Sequence, residues 1–148
     1  MPSTLRLYIA EEDDAEAIAA GEYDAPPDSF LSLPGDLDED DLAALKCLLG
    51  GCRVDPGVSA FDDEPLAEGA EAVVYRVLAE FVERLSVLAK GGCRTVARQW
   101  ADFLSEGEDE EGWWTEAKAQ RVLGRLSALA CRARSRDLPM LLTSEARL

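Results

Sequence analysis

Apolar residues recur along 65–90 with the spacing of one helical face. In the stretch EPLAEGAEAVVYRVLAEFVERLSVLAKGG they fall at Ala70, Val73, Val74, Val77, Leu78, Phe81, Leu85 and Leu88, the i, i+3, i+4, i+7 pattern of an amphipathic helix. Glu71, Arg76, Glu80, Glu83 and Arg84 fall mostly on the other side. Pro65 suits a first helical turn, where its missing N–H is not needed. Lys90 suits the negative end of a helix dipole, and Gly91-Gly92 supplies a left-handed stop. The pattern predicts a long helix over 65–90 that serves as the wall for the remaining elements.

The rest of the chain divides around it. Leu5, Leu7 and Ile9 alternate with Arg6 and Tyr8, the period of a half-buried strand. Glu11 to Asp14 opens a short helix that Gly21 stops. Phe30, Leu31 and Leu33 read as an apolar anchor in a loop, ahead of a Pro34-Gly35 turn. A second helix follows, led by Asp36–Asp41, with Asp38 as its expected N-cap, Leu42, Leu45, Leu48 and Leu49 inward, and Gly50-Gly51 at its end. Residues 52–63 read as a linker. A fourth helix spans 94–104 with Val96, Trp100, Phe103 and Leu104 inward, and 106–112 is an acidic loop. The last helix starts near Trp113-Trp114 and turns Ala119, Val122, Leu123, Leu126, Leu129, Ala130 and Ala133 to the interior. A strand over 138–142 closes the pattern, demoted to an edge by Pro139 and placed to pair with the first strand. The expected class is α+β and predominantly helical: about five helices around the 65–90 helix with short N- and C-terminal strands, in one domain over 1–148.

Composition changes the picture through charge. The 148 residues carry a net charge of −15. Residues 1–75 hold 19 Asp/Glu against 3 Lys/Arg, and residues 76–148 hold 11 against 12. The imbalance belongs to the first half. Such a field repels nucleic acid and anionic membrane and attracts cationic surfaces; the competing use of the same charge is solubility. The N-terminus has the features of neither a secretory signal nor a transit peptide, and no window reaches the ~18 apolar residues of a membrane span, so the expected compartment is the cytoplasm, where four scattered cysteines stay reduced.

Candidate chemistry is thin. Histidine is absent, which removes Ser-His-Asp and Cys-His catalysis and the common zinc sites. Both Gly-Gly pairs end helices rather than open them, so neither cradles a phosphate. Asp36 to Asp41 resembles the start of a calcium loop, but Asp41 stands where that loop needs Gly and Cys47 where it needs Glu. Cys47 and Cys52 are spaced more widely than a tight zinc pair, and Cys93 and Cys131 form no pair. No cofactor or metal is implied. The arginines of the last helix, Arg121, Arg125, Arg132, Arg134 and Arg136, form a basic face suited to pairing with acids of the first half.

What remains is an acidic surface with tryptophans beside it. One ring of Trp113-Trp114 packs inward and the other is the better placed to receive a cation. The expectation is a non-catalytic, acidic protein-binding domain of bacterial type that meets a basic protein partner and neither nucleic acid nor membrane. In size and charge it is of the type of immunity proteins and antitoxins, without a shared motif. The candidate contact residues are Asp36, Asp38, Glu39, Asp40, Asp41, Glu108, Asp109, Glu110, Glu111 and Trp113. Two alternatives come from other classes: a small enzyme using carboxylates directly or through a metal, and an oligomeric subunit that shares the 65–90 helix face between copies.

Overall fold

The strand centred on Leu142 carries four consecutive nearly inaccessible residues, Met140 to Thr143, a pattern open only to a strand covered on both faces. The computed structural model describes residues 5–33, 37, 39–50, 59–62, 64–88, 93–105 and 114–145. Its strands are β1 (Leu5–Ile9), β2 (Phe30–Ser32), β3 (Ala67–Glu68), β4 (Ala72–Arg76) and β5 (Met140–Glu145), and its helices α1 (Ala15–Ala19), α2 (Glu39–Leu49), α3 (Ala79–Leu88), α4 (Cys93–Ser105) and α5 (Glu116–Ser135). The strands form one antiparallel sheet in the order β2-β1-β5-β4-β3.

Alternation along the strands sends side chains to two different layers. Leu5, Leu7, Ile9, Met140 and Leu142 join the main core with α2, α3, α4 and α5. Leu141 and Val74 point the other way and pack with Ala15, Ile18 and Ala19 of α1. Sheet and helices therefore make a thick helical layer on one face and a single short helix on the other.

The helical layer is fastened through specific polar contacts. Trp100 is fully buried and its indole N–H donates to the Asp41 carbonyl at 3.0 Å. Trp114 packs against it with ring centroids 6.0 Å apart. On α5 three side chains at helical spacing reach α3: Ser127 Oγ donates to the Leu85 carbonyl at 2.7 Å, Cys131 Sγ to the Ser86 carbonyl at 3.1 Å, and Arg134 Nη1 to Ser86 Oγ at 2.9 Å. Leu85 and Ser86 lie in the last described turn of α3.

The end of α5 is a Schellman cap without its usual glycine. Leu138 N–H donates to the Ala133 carbonyl at 2.9 Å and Asp137 N–H to the Arg134 carbonyl at 3.1 Å, the two bonds that define this cap. Asp137 occupies the left-handed position at φ 55°.

The expected architecture, predominantly helical around a long 65–90 helix with two short terminal strands, is overturned: the fold is α+β with a five-stranded antiparallel sheet and five helices among the described residues. Residues 65–90 hold β3, β4 and α3. The run AVVYR is β-branched and aromatic, which favours a pleated surface, and an unbroken apolar run satisfies helical and strand spacing alike. Gly69 stands in the turn between β3 and β4. A Cβ there lies 2.4 Å from the Ala19 carbonyl oxygen, because the β3–β4 turn presses against the end of α1 with Glu71 N–H donating to that carbonyl at 3.1 Å. The last strand is also moved. It spans Met140–Glu145 in the centre of the sheet, so Pro139 lies just ahead of it and removes no ladder bond. Its expected pairing with the first strand holds, Leu7 facing Leu142. Phe30 to Ser32, read as a loop anchor, pairs as an edge strand. The helices expected from Glu11, Asp36, Arg94 and Trp113 are present as α1, α2, α4 and α5, and all seven expected interior residues of α5 are buried.

Candidate protein-binding surface

α1 turns Ala15, Ile18 and Ala19 onto the sheet and leaves Glu16 exposed. Glu11, Glu12 and Asp13, also exposed, lead into it through a short 3-10 turn, and Glu22 follows just past Gly21. The turn that Gly69 allows brings in Glu68 and Glu71, also exposed, because the backbone of Glu71 is bonded to the end of α1. Gly21 sits at φ 76°, and a Cβ there meets Glu71 Cγ at 2.7 Å. Two glycines thus interlock α1 with the β3–β4 turn and merge two acidic segments into one surface.

Cations are few on this side. Arg76 pairs with Glu12 at 2.9 Å, both side chains about half exposed. Arg6, on the same face as Tyr8 and exposed, has no ion pair among the described residues. Beside α1, Tyr8 packs edge-on to Tyr23 with centroids 6.0 Å apart and against Phe30 at 5.1 Å. Burial, then the nearby Asp14 and Glu11 carboxylates, push the Tyr23 hydroxyl above its ordinary value of 10.0. These rings cover the sheet next to the acidic surface.

A cleft of about 490 Å³ borders that surface. Beneath it lie the buried Val77, Val82, Ala133 and Met140, and its accessible apolar surface comes from Ala79, Leu138 and Pro139. Its rim carries Arg76, Arg134, Glu83 and Asp137. A second groove shares Arg76, Asp137, Leu138 and Pro139 with it and runs to Glu11, Glu12 and Asp13. The sheet end and the α5 cap therefore join the cleft to the α1 surface.

Of the sequence-based contact residues, the three that are described fall elsewhere. Glu39 and Asp40 are exposed in the first turn of α2. Asp41 is half-buried, and its carbonyl accepts from Trp100. α2 packs in the helical layer, across the sheet from α1, so these acids do not join the α1 surface. Asp36, Asp38, Glu108, Asp109, Glu110, Glu111 and Trp113 lie outside the described residues. Trp114 is covered, between Trp100 and Lys118, whose Nζ stands 4.1 Å from its ring centroid. Sequence reasoning uses Glu11 to Asp14 only as support for a helix dipole, places Glu71 on the outer side of a 65–90 helix that the fold does not contain, and singles out neither Glu16 nor Glu68. The EEDDAE run was the available signal.

The basic face of α5 pairs in part with the first half of the chain. Arg136 forms an ion pair with Asp28 and donates to Ser29 Oγ at 2.6 Å. Arg132 donates to the Asp28 carbonyl at 3.2 Å. The Arg136 hydrogen bond holds the Asp28 carboxyl below its ordinary value of 3.8. Arg121 and Arg125 are exposed without an ion pair to a described residue.

The two alternatives meet different geometry. The oligomeric reading rested on a 65–90 helix face that the fold does not contain. The enzyme reading needs converging carboxylates; Glu83 and Asp137 both line the cleft and both are exposed. Among the described residues no three His, Cys, Asp or Glu side chains are grouped to hold a metal ion, and no helix among them is long and apolar enough to cross a membrane.

Comparison with known protein families, curated proteins and solved structures finds no match to the chain.

Proposed function

We propose that this chain is a non-catalytic binding domain that receives a basic protein partner on its α1 surface, in the manner of an immunity- or antitoxin-type inhibitor. One observation carries the reading: seven exposed carboxylates, Glu11, Glu12, Asp13, Glu16, Glu22, Glu68 and Glu71, lie over α1 and the β3–β4 turn, against Arg6 and an Arg76 already paired with Glu12. A field of one sign over a continuous patch steers an oppositely charged partner and raises association rates by about 10- to 1,000-fold over the uncharged case. The rigid mount, two glycines locking turn to helix, keeps the carboxylates in register without the ordering cost of a loop.

The test begins with capture at low salt from the source lysate and elution at moderate salt, followed by titration of the purified captured protein. The variant Glu11→Gln/Asp13→Asn/Glu16→Gln/Glu71→Gln leaves the Glu12–Arg76 pair in place. It is expected to slow association about tenfold or more at low salt, with the difference fading as salt rises. Glu39→Gln/Asp40→Asn, on the other side of the sheet, is the control and is expected to change the rate far less. Equal rates and equal salt dependence for the α1 variant and the wild type reject the reading.

A further inference from the structure

We infer that the cleft between α3 and the α5 cap takes one extended cationic side chain, an arginine or lysine, of that basic partner. The inference rests on the binding role proposed above and adds the point at which specificity is read. The cleft, of about 490 Å³, falls within the size range of small-ligand sites. The apolar surface it offers, at Ala79, Leu138 and Pro139 beside the largely buried Val77 and Val82, suits the methylene stem of a long side chain, which lies along apolar surface while its head stays polar.

The rim decides the sign of the head. Arg76 is already paired with Glu12 at 2.9 Å. Arg134 donates to Ser86 Oγ at 2.9 Å and keeps its charge, but it stands against two carboxylates, Glu83 and Asp137, which have no ion pair among the described residues and are exposed. The rim is therefore left with a net negative charge. Continuity points the same way, since the neighbouring groove leads from Asp137 to Glu11, Glu12 and Asp13 on the α1 surface.

Asp137 itself is a poor structural choice where it stands. Its φ of 55° is a conformation for which glycine is the default. Its carboxylate also lies at the negative end of the α5 dipole. A cation bound in the cleft offsets the second penalty and gives the carboxylate a partner.

The test uses the full chain and single-residue probes followed by amide chemical shifts: N-acetyl-arginine methylamide, N-acetyl-lysine methylamide, the neutral N-acetyl-norleucine methylamide and the anion N-acetyl-glutamate. The two cations are expected to shift Val82, Ala133, Leu138 and Met140 saturably, and the neutral and anionic probes to leave them in place. Asp137→Asn, which tolerates the left-handed backbone, and Glu83→Gln are each expected to weaken the cation about 2- to 5-fold. Entry of the anion instead, unsaturable shifts spread over α1, or unchanged affinity in Asp137→Asn overturns the assignment. An arginine nonapeptide separates the two claims. If it still loses affinity in the α1 variant while the single-residue probes ignore the cleft, the surface reading stands and the cleft assignment falls. If the probes enter the cleft while the captured partner ignores α1 charge, the surface reading falls and the cleft assignment stands.

Discussion

Replacing glycine by alanine is expected to act with opposite sign at Gly124 and Gly69. At Gly124, exposed in the middle of α5, an added Cβ meets nothing within 4 Å. The gain is then the difference in helix propensity, about 0.8 kcal/mol, or roughly 2–3 °C in Tm for a chain of this size. At Gly69 the added Cβ lies 2.4 Å from the Ala19 oxygen, 2.5 Å from its carbonyl carbon and 2.9 Å from its Cβ. Two of these atoms are backbone and cannot rotate aside. Ordinary contact begins near 3.4 Å, so turn and helix must separate by 3.4 − 2.4 = 1.0 Å. That separation strains the 3.1 Å bond from Glu71 N–H to Ala19. Overpacking costs about 1–3 kcal/mol and the weakened bond up to about 1 kcal/mol, against an entropic gain below about 1 kcal/mol. The two variants should differ by about 2–4 kcal/mol, on the order of 10 °C. Urea unfolding followed by far-ultraviolet dichroism, with the m-value checked for constancy, measures both. A Gly69→Ala midpoint at or above that of the wild type would refute the packing of this turn on α1. An unchanged Gly124→Ala midpoint would refute the open helical setting of that glycine.

Ser127→Ala is expected to destabilise by about 1–3 kcal/mol in the same assay, because the Leu85 carbonyl loses a buried donor at 2.7 Å; a loss below a few tenths would mean another donor takes its place. Asp137→Gly is expected to stabilise the fold by about 0.5–1 kcal/mol, the relief of left-handed strain exceeding the added entropy of glycine, while weakening the cationic probe as Asp137→Asn does. Asp28 gives a pH dependence. Its folded carboxyl lies below the ordinary 3.8, so its contribution is present above that value and lost as pH falls through the lower folded one. The stability gap between wild type and Asp28→Asn should therefore close as pH drops below 3.8, and a gap constant with pH contradicts the Arg136 pairing. Tyr23 works at the other end: its raised hydroxyl favours the fold below 10.0 and less as pH rises past it, so Tyr23→Phe should lose less stability than the wild type in strong alkali.

Four of the helices were legible in the chain, although the 65–90 helix, with the best-argued ends, was not one of them. α5 shows one continuous stripe from Ala119 to Ala133 with Arg on the outside, and all of that stripe is buried. α2 and α4 likewise stand where their Leu and Trp spacing puts them. The sheet was legible only at its centre, where the alternating β1 and its pairing with β5 were expected. β2, β3 and β4 were not read as strands: Val73-Val74-Tyr75 lacks alternation, and alternation is the feature that separates a strand from a helix fragment. The acidic surface was half legible. Its charge was countable, but its assembly depends on Gly21 and Gly69, whose role comes from contacts between segments about fifty residues apart in sequence. The cleft was not legible at all, since β4, α3, the α5 cap and β5 each supply part of it.

The position of β5 has a consequence for synthesis. It emerges from the ribosome after every other described element, yet it bonds β1 on one side and β4 on the other. Until it arrives, the β1–β2 pair and the β3–β4 hairpin have no strand between them, and both expose edges that invite pairing with other chains. Closing the sheet joins Leu5 to Ser144, a contact of very long sequence separation and hence slow to form. The acidic segments of the first half, synthesised by then, oppose association between such copies through like-charge repulsion.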